Sequence, residues 1–246
     1  MSTRYHAILG LVITALIWEA SVHLFQISPR YLPSLYAIYQ DGASVSTDLA
    51  RGLLRTAIET LLGFATGAVV GILFGILFNY VRLAERLLLP IFIVSQTIPV
   101  IAFGAIVVIW FGNSILSKVV ISFYLTFFPV ALSTLRGLQS CDVAKIDLMR
   151  SFGASYWTLF IKLALPTALP AIMVGLRVGI SLSLAGAIVG EWFGDTVGLG
   201  VMLLQALFFE QTVRVWLLIL VTGFLGAVFY GAISLVERKM VWWNTN

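Results

Sequence analysis

The chain of 246 residues holds one cysteine and two histidines. A lone Cys141 forms neither an intrachain disulfide nor a thiolate cluster, so no oxidising compartment is implied. His6 and His23 stand on or near one apolar run and lack metal-ligand spacing. Charge is scarce: Asp, Glu, Lys and Arg make up 11% of residues, where a soluble domain carries about 25%. There is no GxSxG nucleophile elbow and no Walker-type phosphate loop. Nothing nominates a nucleophile and its base, so the chain is expected not to be an enzyme by itself. No bound cofactor or metal is expected either. The net charge of +4 is read as topology-setting cations on membrane loops rather than a nucleic-acid surface.

Apolar residues fill the space the charges leave. They are 60% of the chain, in runs of about 20 or more that match a hydrocarbon core about 30 Å thick. The runs are continuous, not the alternating ten-residue segments of a barrel, which predicts an all-α integral membrane protein. Six spans fit, near 7–26, 54–80, 87–111, 117–139, 166–193 and 213–236. The first run holds Trp18 and Glu19, lacks a small-residue cleavage site and is expected to be a retained span. Residues 1–50 form an N-terminal unit of one span plus an interfacial segment, in which Ser34 caps a short helix. Residues 51–240 form the core, with a polar region at 140–166.

Counting Lys and Arg orients the chain. With the N-terminus inside, Arg4, Arg82, Arg86, Arg136, Lys145, Arg150, Lys162, Arg238 and Lys239 fall inside, and Arg30, Arg51, Arg55, Lys118 and Arg214 outside. Nine against five predicts both termini in the cytoplasm, and with them the 140–166 region.

Within the spans, Gly63, Gly67, Gly71 and Gly75 recur at i, i+4 and predict a packing seam. Pro90 and Pro99 interrupt the third span with Gln96 between them, which marks either a pathway lining or a packing kink. Ionisable residues in spans are costly, so Glu19, Glu59, Arg177 and Glu191 are functional candidates. Glu59 follows Arg55 by four residues, so an i, i+4 ion pair accounts for it. Arg177 is deep enough to need a partner or a water-filled cavity. Glu191 is expected near the outer end of the fifth span, within reach of solvent. Gln96, Pro99, Arg177 and Glu191 are thus candidates for a translocation path, with structural pairing or snorkelling as the other account of the charges.

The polar region reads as an elbow. Asp142 caps a helix over about 143–152, and Gly153 suits a left-handed terminator. Ser155 caps a second helix whose Tyr156, Leu159, Phe160 and Leu163 share a face, and Pro166 and Pro170 mark entry to the fifth span. By pattern alone this elbow is a partner-docking surface or a plain connector.

The stretch "DLMRSFGASYWTLFIKLALPTALPAIMVGLR" resembles the cytoplasmic loop motif of permease subunits of bacterial ABC importers, E-A-A, three residues, G, nine residues, I-x-L-P. Asp147, Leu148 and Met149 stand at E-A-A, with the acid kept; Gly153 matches the glycine, Leu163 the isoleucine, and Leu165–Pro166 the L-P. "LLRTAIETLLGFATGAVVGILFG", "QTIPVIAFGAIVVIWFG" and "VGEWFGDTVGLGVML" resemble successive core segments of the nitrate/sulfonate/taurine branch of that family.

The resemblance implies a type I importer permease whose elbow, through Asp147, Arg150, Gly153, Ala154, Ser155, Leu163 and Pro166, docks a separate ATPase subunit. It implies two ATPase subunits holding ATP and Mg, a second permease copy, most simply a homodimer, and an extracytoplasmic substrate-binding protein, all at a bacterial inner membrane. The branch handles sulfonates, taurine and nitrate, and vitamin-related heterocycles such as thiamine-precursor pyrimidines and riboflavin. Two rival readings are an ATPase-independent secondary transporter or channel with Glu59, Arg177 and Glu191 as an ion relay, and a membrane scaffold whose elbow docks something other than an ATPase.

Overall fold

The computed structural model describes residues 2–243, and their regular structure is all helix, joined by short turns and loops. In chain order the helices are α1 (Ser2–Leu24), α2 (Leu35–Ser44), α3 (Ser46–Tyr80), α4 (Arg82–Ser95), α5 (Val100–Phe111), α6 (Ile115–Gln139), α7 (Val143–Ser151) and α8 (Tyr156–Leu159). A π-helical turn, Phe160–Ala164, leads into α9 (Leu165–Glu191), followed by α10 (Leu199–Phe208) and α11 (Thr212–Met240).

Among the described residues, four helical runs are long and apolar enough to cross a bilayer: α3, α6, Tyr156–Glu191 and α11. α4 and α5 together make a fifth, bent by 101°. α1 contributes the shorter apolar stretch Leu9–Leu24. Among the described residues the count is thus four long spans, or five with the broken one; where the first of the six was expected, the Leu9–Leu24 stretch is shorter than a full span.

The core is a cluster of α3, α6 and α9, each in contact with the other two. In lipid there is no hydrophobic drive between helices, so association depends on close packing and interhelical hydrogen bonds. The glycine seam of α3 supplies the packing. A Cβ on Gly63 would lie 2.2 Å from Ser122 Cβ, on Gly67 2.7 Å from Thr126 Cβ, and on Gly75 2.5 Å from Thr134 Cβ. Residue numbers rise together, so α3 and α6 run parallel. α9 packs antiparallel beside α3 on an adjoining face of α6, with Gly175 over Ser133 and Gly186 over Ser122. Hydroxyls complete the joint: Ser183 donates to the Thr60 carbonyl (2.8 Å), and Ser122 to the Ser183 carbonyl (3.0 Å).

Pro90 lies inside α4 without ending it, whereas Pro99 starts α5 after the sharp turn at Gln96–Ile98. Two contacts hold that turn. The Tyr124 hydroxyl donates to the Ser95 carbonyl, and the Tyr124 ring stacks on Phe103 with centroids 4.0 Å apart. α4 is held to α3 and α6 by Phe74, Phe78, Phe92 and Phe127, whose rings meet at 4.8–5.9 Å.

Ser34 caps α2 as expected, accepting from the Ala37 N–H at 3.1 Å. Glu19 accepts from the Leu35 N–H (2.8 Å) and pairs with His23 (3.1 Å), and Trp18 donates to the Pro33 carbonyl (2.9 Å). Glu19 thus fastens α1 to the start of α2. The bidentate Arg214–Asp41 pair (2.5 and 2.8 Å) fastens α2 to α11.

Candidate functional site

The elbow forms from local chemistry. Asp142 accepts from the Ala144 N–H (2.9 Å) and starts α7. α7 ends in a Schellman turn: the Gly153 N–H donates to the Arg150 carbonyl (2.8 Å) and the Ala154 N–H to the Met149 carbonyl (3.0 Å). Gly153 takes φ +78°, which glycine adopts without steric cost. Ser155 then caps α8, accepting from the Thr158 N–H at 3.2 Å.

The elbow's second helix joins the fifth span without a break at Pro166 and Pro170, which mark the span's entry. Pro166 lacks the N–H that would reach back to the Lys162 carbonyl, and the preceding turn widens to a π turn in which Leu165 N–H donates to the Phe160 carbonyl. The helix therefore runs unbroken from Tyr156 to Glu191. The shared apolar face is only partial: Phe160 packs against Tyr80 at 6.1 Å, while Tyr156 is 80% exposed. Phe152 and Trp157, 82% and 74% exposed, add to an aromatic surface at the elbow. Asp147 and Arg150 are exposed and 3.9 Å apart, a separation at which a surface pair contributes little. Ala154, Leu163 and Pro166 are half-buried at the base of the elbow.

The path candidates fall at different levels of the bundle. Gln96 sits at the turn between α4 and α5, its amide nitrogen buried without a partner; Pro99 beside it is exposed. Arg177 pairs with Glu237 near the elbow end of α11 (3.2 Å) and lies over the Tyr230 ring at 5.7 Å. Glu191 lies 14 residues further along α9, about 21 Å at 1.5 Å per residue. No continuous relay joins Arg177 to Glu191 through the pairs seen among the described residues. The Arg177–Glu237 pair instead ties α11 to the helix that carries the elbow. Glu237→Gln is expected to lower stability by about 2 kcal/mol, the range of a hydrogen bond to a charged group. Exchanging the two residues should recover most of that loss in a detergent melting series.

Glu191 is not within reach of solvent; it is 1% exposed, because the 192–198 loop and α10 close over the end of α9. It belongs to a cluster of charges at the end of the bundle opposite the elbow, which the sequence did not reveal as a unit. Arg55 pairs with Glu59 as expected (2.7 Å) and also faces Asp195 (3.8 Å). Lys118, fully buried, pairs with Asp195 (3.1 Å) and donates to Asn113, which in turn donates to the Gly194 carbonyl. Burial alone would raise the Asp195 carboxyl. The Thr196 N–H donating to it, with Lys118 and Arg55 alongside, holds it below the usual carboxylate range. Next to this cluster a cavity of about 420 Å³ is walled by α3, the 196–198 loop, α10 and the start of α11.

Residues 67–242 match the profile of a family described as "Binding-protein-dependent transport system inner membrane component". The chain is 34% identical to the formylaminopyrimidine transport permease protein of Halalkalibacterium halodurans, over 99% of each chain. It is 30% identical to the riboflavin transport system permease protein of Chloroflexus aurantiacus, over 97% of this chain and 91% of the relative. A putative aliphatic sulfonates transport permease protein of Escherichia coli is also 30% identical, over 93% and 88%.

Proposed function

The chain belongs to the family of inner-membrane components of binding-protein-dependent transport systems, and from that premise we propose how this permease is assembled, driven and loaded. It is a multi-pass membrane subunit of an ATP-binding-cassette importer, not itself an enzyme. Such a subunit works with an ATPase and a substrate-binding protein. In the proposed assembly two copies of this chain form the path and two ATPase subunits, holding ATP and Mg, sit at the elbows. The termini and elbow then face the cytoplasm, and the binding protein delivers cargo at the opposite end. The excess of Lys and Arg at the elbow end supports that orientation.

The observation that carries the mechanism is the unbroken helix from Tyr156 to Glu191. Asp147, Arg150, Gly153, Ala154, Ser155, Leu163 and Pro166 form or support the docking elbow at its base. Movement of the elbow with a closing ATPase dimer is passed along a rigid rod to the far side of the membrane. ATP acts through the partner's differential affinity for the two arrangements.

For cargo we propose a small planar nitrogen heterocycle of the aminopyrimidine type. Support comes from the relatives named for formylaminopyrimidine and riboflavin, and from the broken span, whose turn carries a buried, unpartnered Gln96 amide nitrogen and is held by Tyr124, itself stacked on Phe103. The test is uptake of a radiolabelled aminopyrimidine into vesicles containing the permease, its ATPase and its binding protein. Uptake should require internal MgATP and all three components. Uptake driven by an ion gradient without the ATPase would overturn the coupling; ATP-driven uptake of an alkylsulfonate in preference to the pyrimidine would overturn the cargo.

A further inference from the structure

α10 begins in an unusual way. Its first residues, Leu199 and Gly200, end the stretch "GDTVGLG", in which Gly198 and Gly200 leave the backbone open to close approach. What approaches is the carboxylate of Glu191, the last residue of α9. Its Oε2 accepts from the Gly200 N–H at 2.6 Å, and its Oε1 accepts from the Thr56 hydroxyl at 2.6 Å. Thr56 Oγ1 accepts in turn from the Leu199 N–H at 2.9 Å. The first two N–H groups of α10, which a helix leaves without intrahelical partners, are thus satisfied by side chains from α9 and α3.

Sterics agree independently. A Cβ on Gly198 would lie 2.2 Å from Glu191 Cδ, and one on Gly200 2.8 Å from Glu191 Oε2 and 2.5 Å from the Ile188 carbonyl oxygen. Gly198 also takes φ +157°. The backbone is wrapped around the carboxylate, and Glu191 and Thr56 are 1% and 0% exposed.

α10 is two-faced. Leu199 and Ala206 pack with Leu184, Leu218 and Leu225 in the core. Val201, Met202 and Gln205 line the cavity of about 420 Å³ that Arg51 and Arg214 share. A shift of its first turn therefore moves a cavity wall without touching the elbow at the other end.

We propose that Glu191 and Thr56 are positioning residues that set α10 as the wall of the mouth where cargo is handed over from the binding protein. The proposal rests on the reading of this end as the delivery face. Neither residue contacts cargo; they act through the register of α10.

The experiment uses the complete transporter in vesicles, titrated with cargo-loaded binding protein. Wild-type uptake is measured first, and its absence would count against the transport reading itself, separately from this proposal. Thr56→Val keeps the side-chain shape but leaves the Leu199 N–H and a carboxylate oxygen unsatisfied. It should raise the half-saturating concentration of binding protein about tenfold, equivalent to about 1.4 kcal/mol, with the maximal rate within about twofold of wild type. Thr56→Ser should restore the wild-type value. If Thr56→Val does not assemble, Glu191→Gln decides by the same readout: it retains one acceptor and should give a shift in the same direction, about threefold. An unchanged half-saturation, a fall in maximal rate alone, or no rescue by serine overturns the proposal.

Discussion

A Gly63→Leu chain should fail to yield folded protein in detergent, while Gly223→Leu should melt like the wild type. Both glycines lie inside long membrane helices, and a propensity argument treats them alike: leucine is the better helix former by just under about 1 kcal/mol. The difference is what stands opposite. At Gly63 a Cβ alone would come within 2.2 Å of Ser122 Cβ and 3.0 Å of the Val119 carbonyl oxygen; at Gly223 nothing lies within 4 Å. Ser122 cannot swing away, because its own backbone is also pressed by Gly186 of α9, whose Cβ would sit 2.8 Å from Ser122 Cα. Relief requires parting α3 from α6, which also pulls on the Ser183–Thr60 hydrogen bond. Ordinary overpacking costs about 1–3 kcal/mol, and a leucine wedged between two backbones exceeds that range. Size-exclusion homogeneity and thermal melting check the pair. Normal folding of Gly63→Leu would mean that the seam is not the closest approach of the core.

The seam was legible in the sequence because its period is local, as was the elbow, whose Asp142, Gly153 and Ser155 act on backbone groups within a few residues of themselves. Which helix the seam would meet was not legible. Nor was the cluster around Glu191, whose partner Thr56 lies 135 residues away and whose burial depends on a short helix with no span-length signal. Read alone, a glutamate near the end of a span looks wet. The prolines were legible as interruptions but not in their outcome, since a proline reports a missing N–H and not how the chain responds. At Pro166 the preceding turn widened and the helix continued; at Pro99 the chain turned through 101°, because Tyr124 and Phe103 give the turn something to rest on. Arg177 announced its need for a partner, and only the antiparallel packing of α11 on α9 shows why Glu237, sixty residues later, is the one within reach.

Replacing Gly153 should separate coupling from folding, the opposite of the result at Gly63. Gly153 also sits at a constrained backbone position, but its constraint is conformational: φ is +78°, and nothing lies within 4 Å of an added Cβ. A Gly153→Ala chain incurs about 1–2 kcal/mol for an L-residue in the left-handed region. That strain is confined to an exposed turn beyond the membrane core, so melting of the bundle should scarcely change. Gly153→Trp adds a bulky ring to a surface where Phe152 and Tyr156 are already more than three-quarters exposed. In the proposed assembly this surface enters a groove on the ATPase, so the tryptophan should abolish copurification of that subunit and ATP-driven uptake, with the permease itself still monodisperse. Alanine should retain docking at reduced affinity, because it disturbs the Schellman turn without filling the groove. The two substitutions together distinguish the elbow's possible roles. A plain connector tolerates tryptophan, since no neighbour meets it, whereas a docking surface does not, since the neighbour is the partner. Loss of ATPase binding with an unchanged melting curve therefore assigns the requirement for glycine to the interface rather than to the fold.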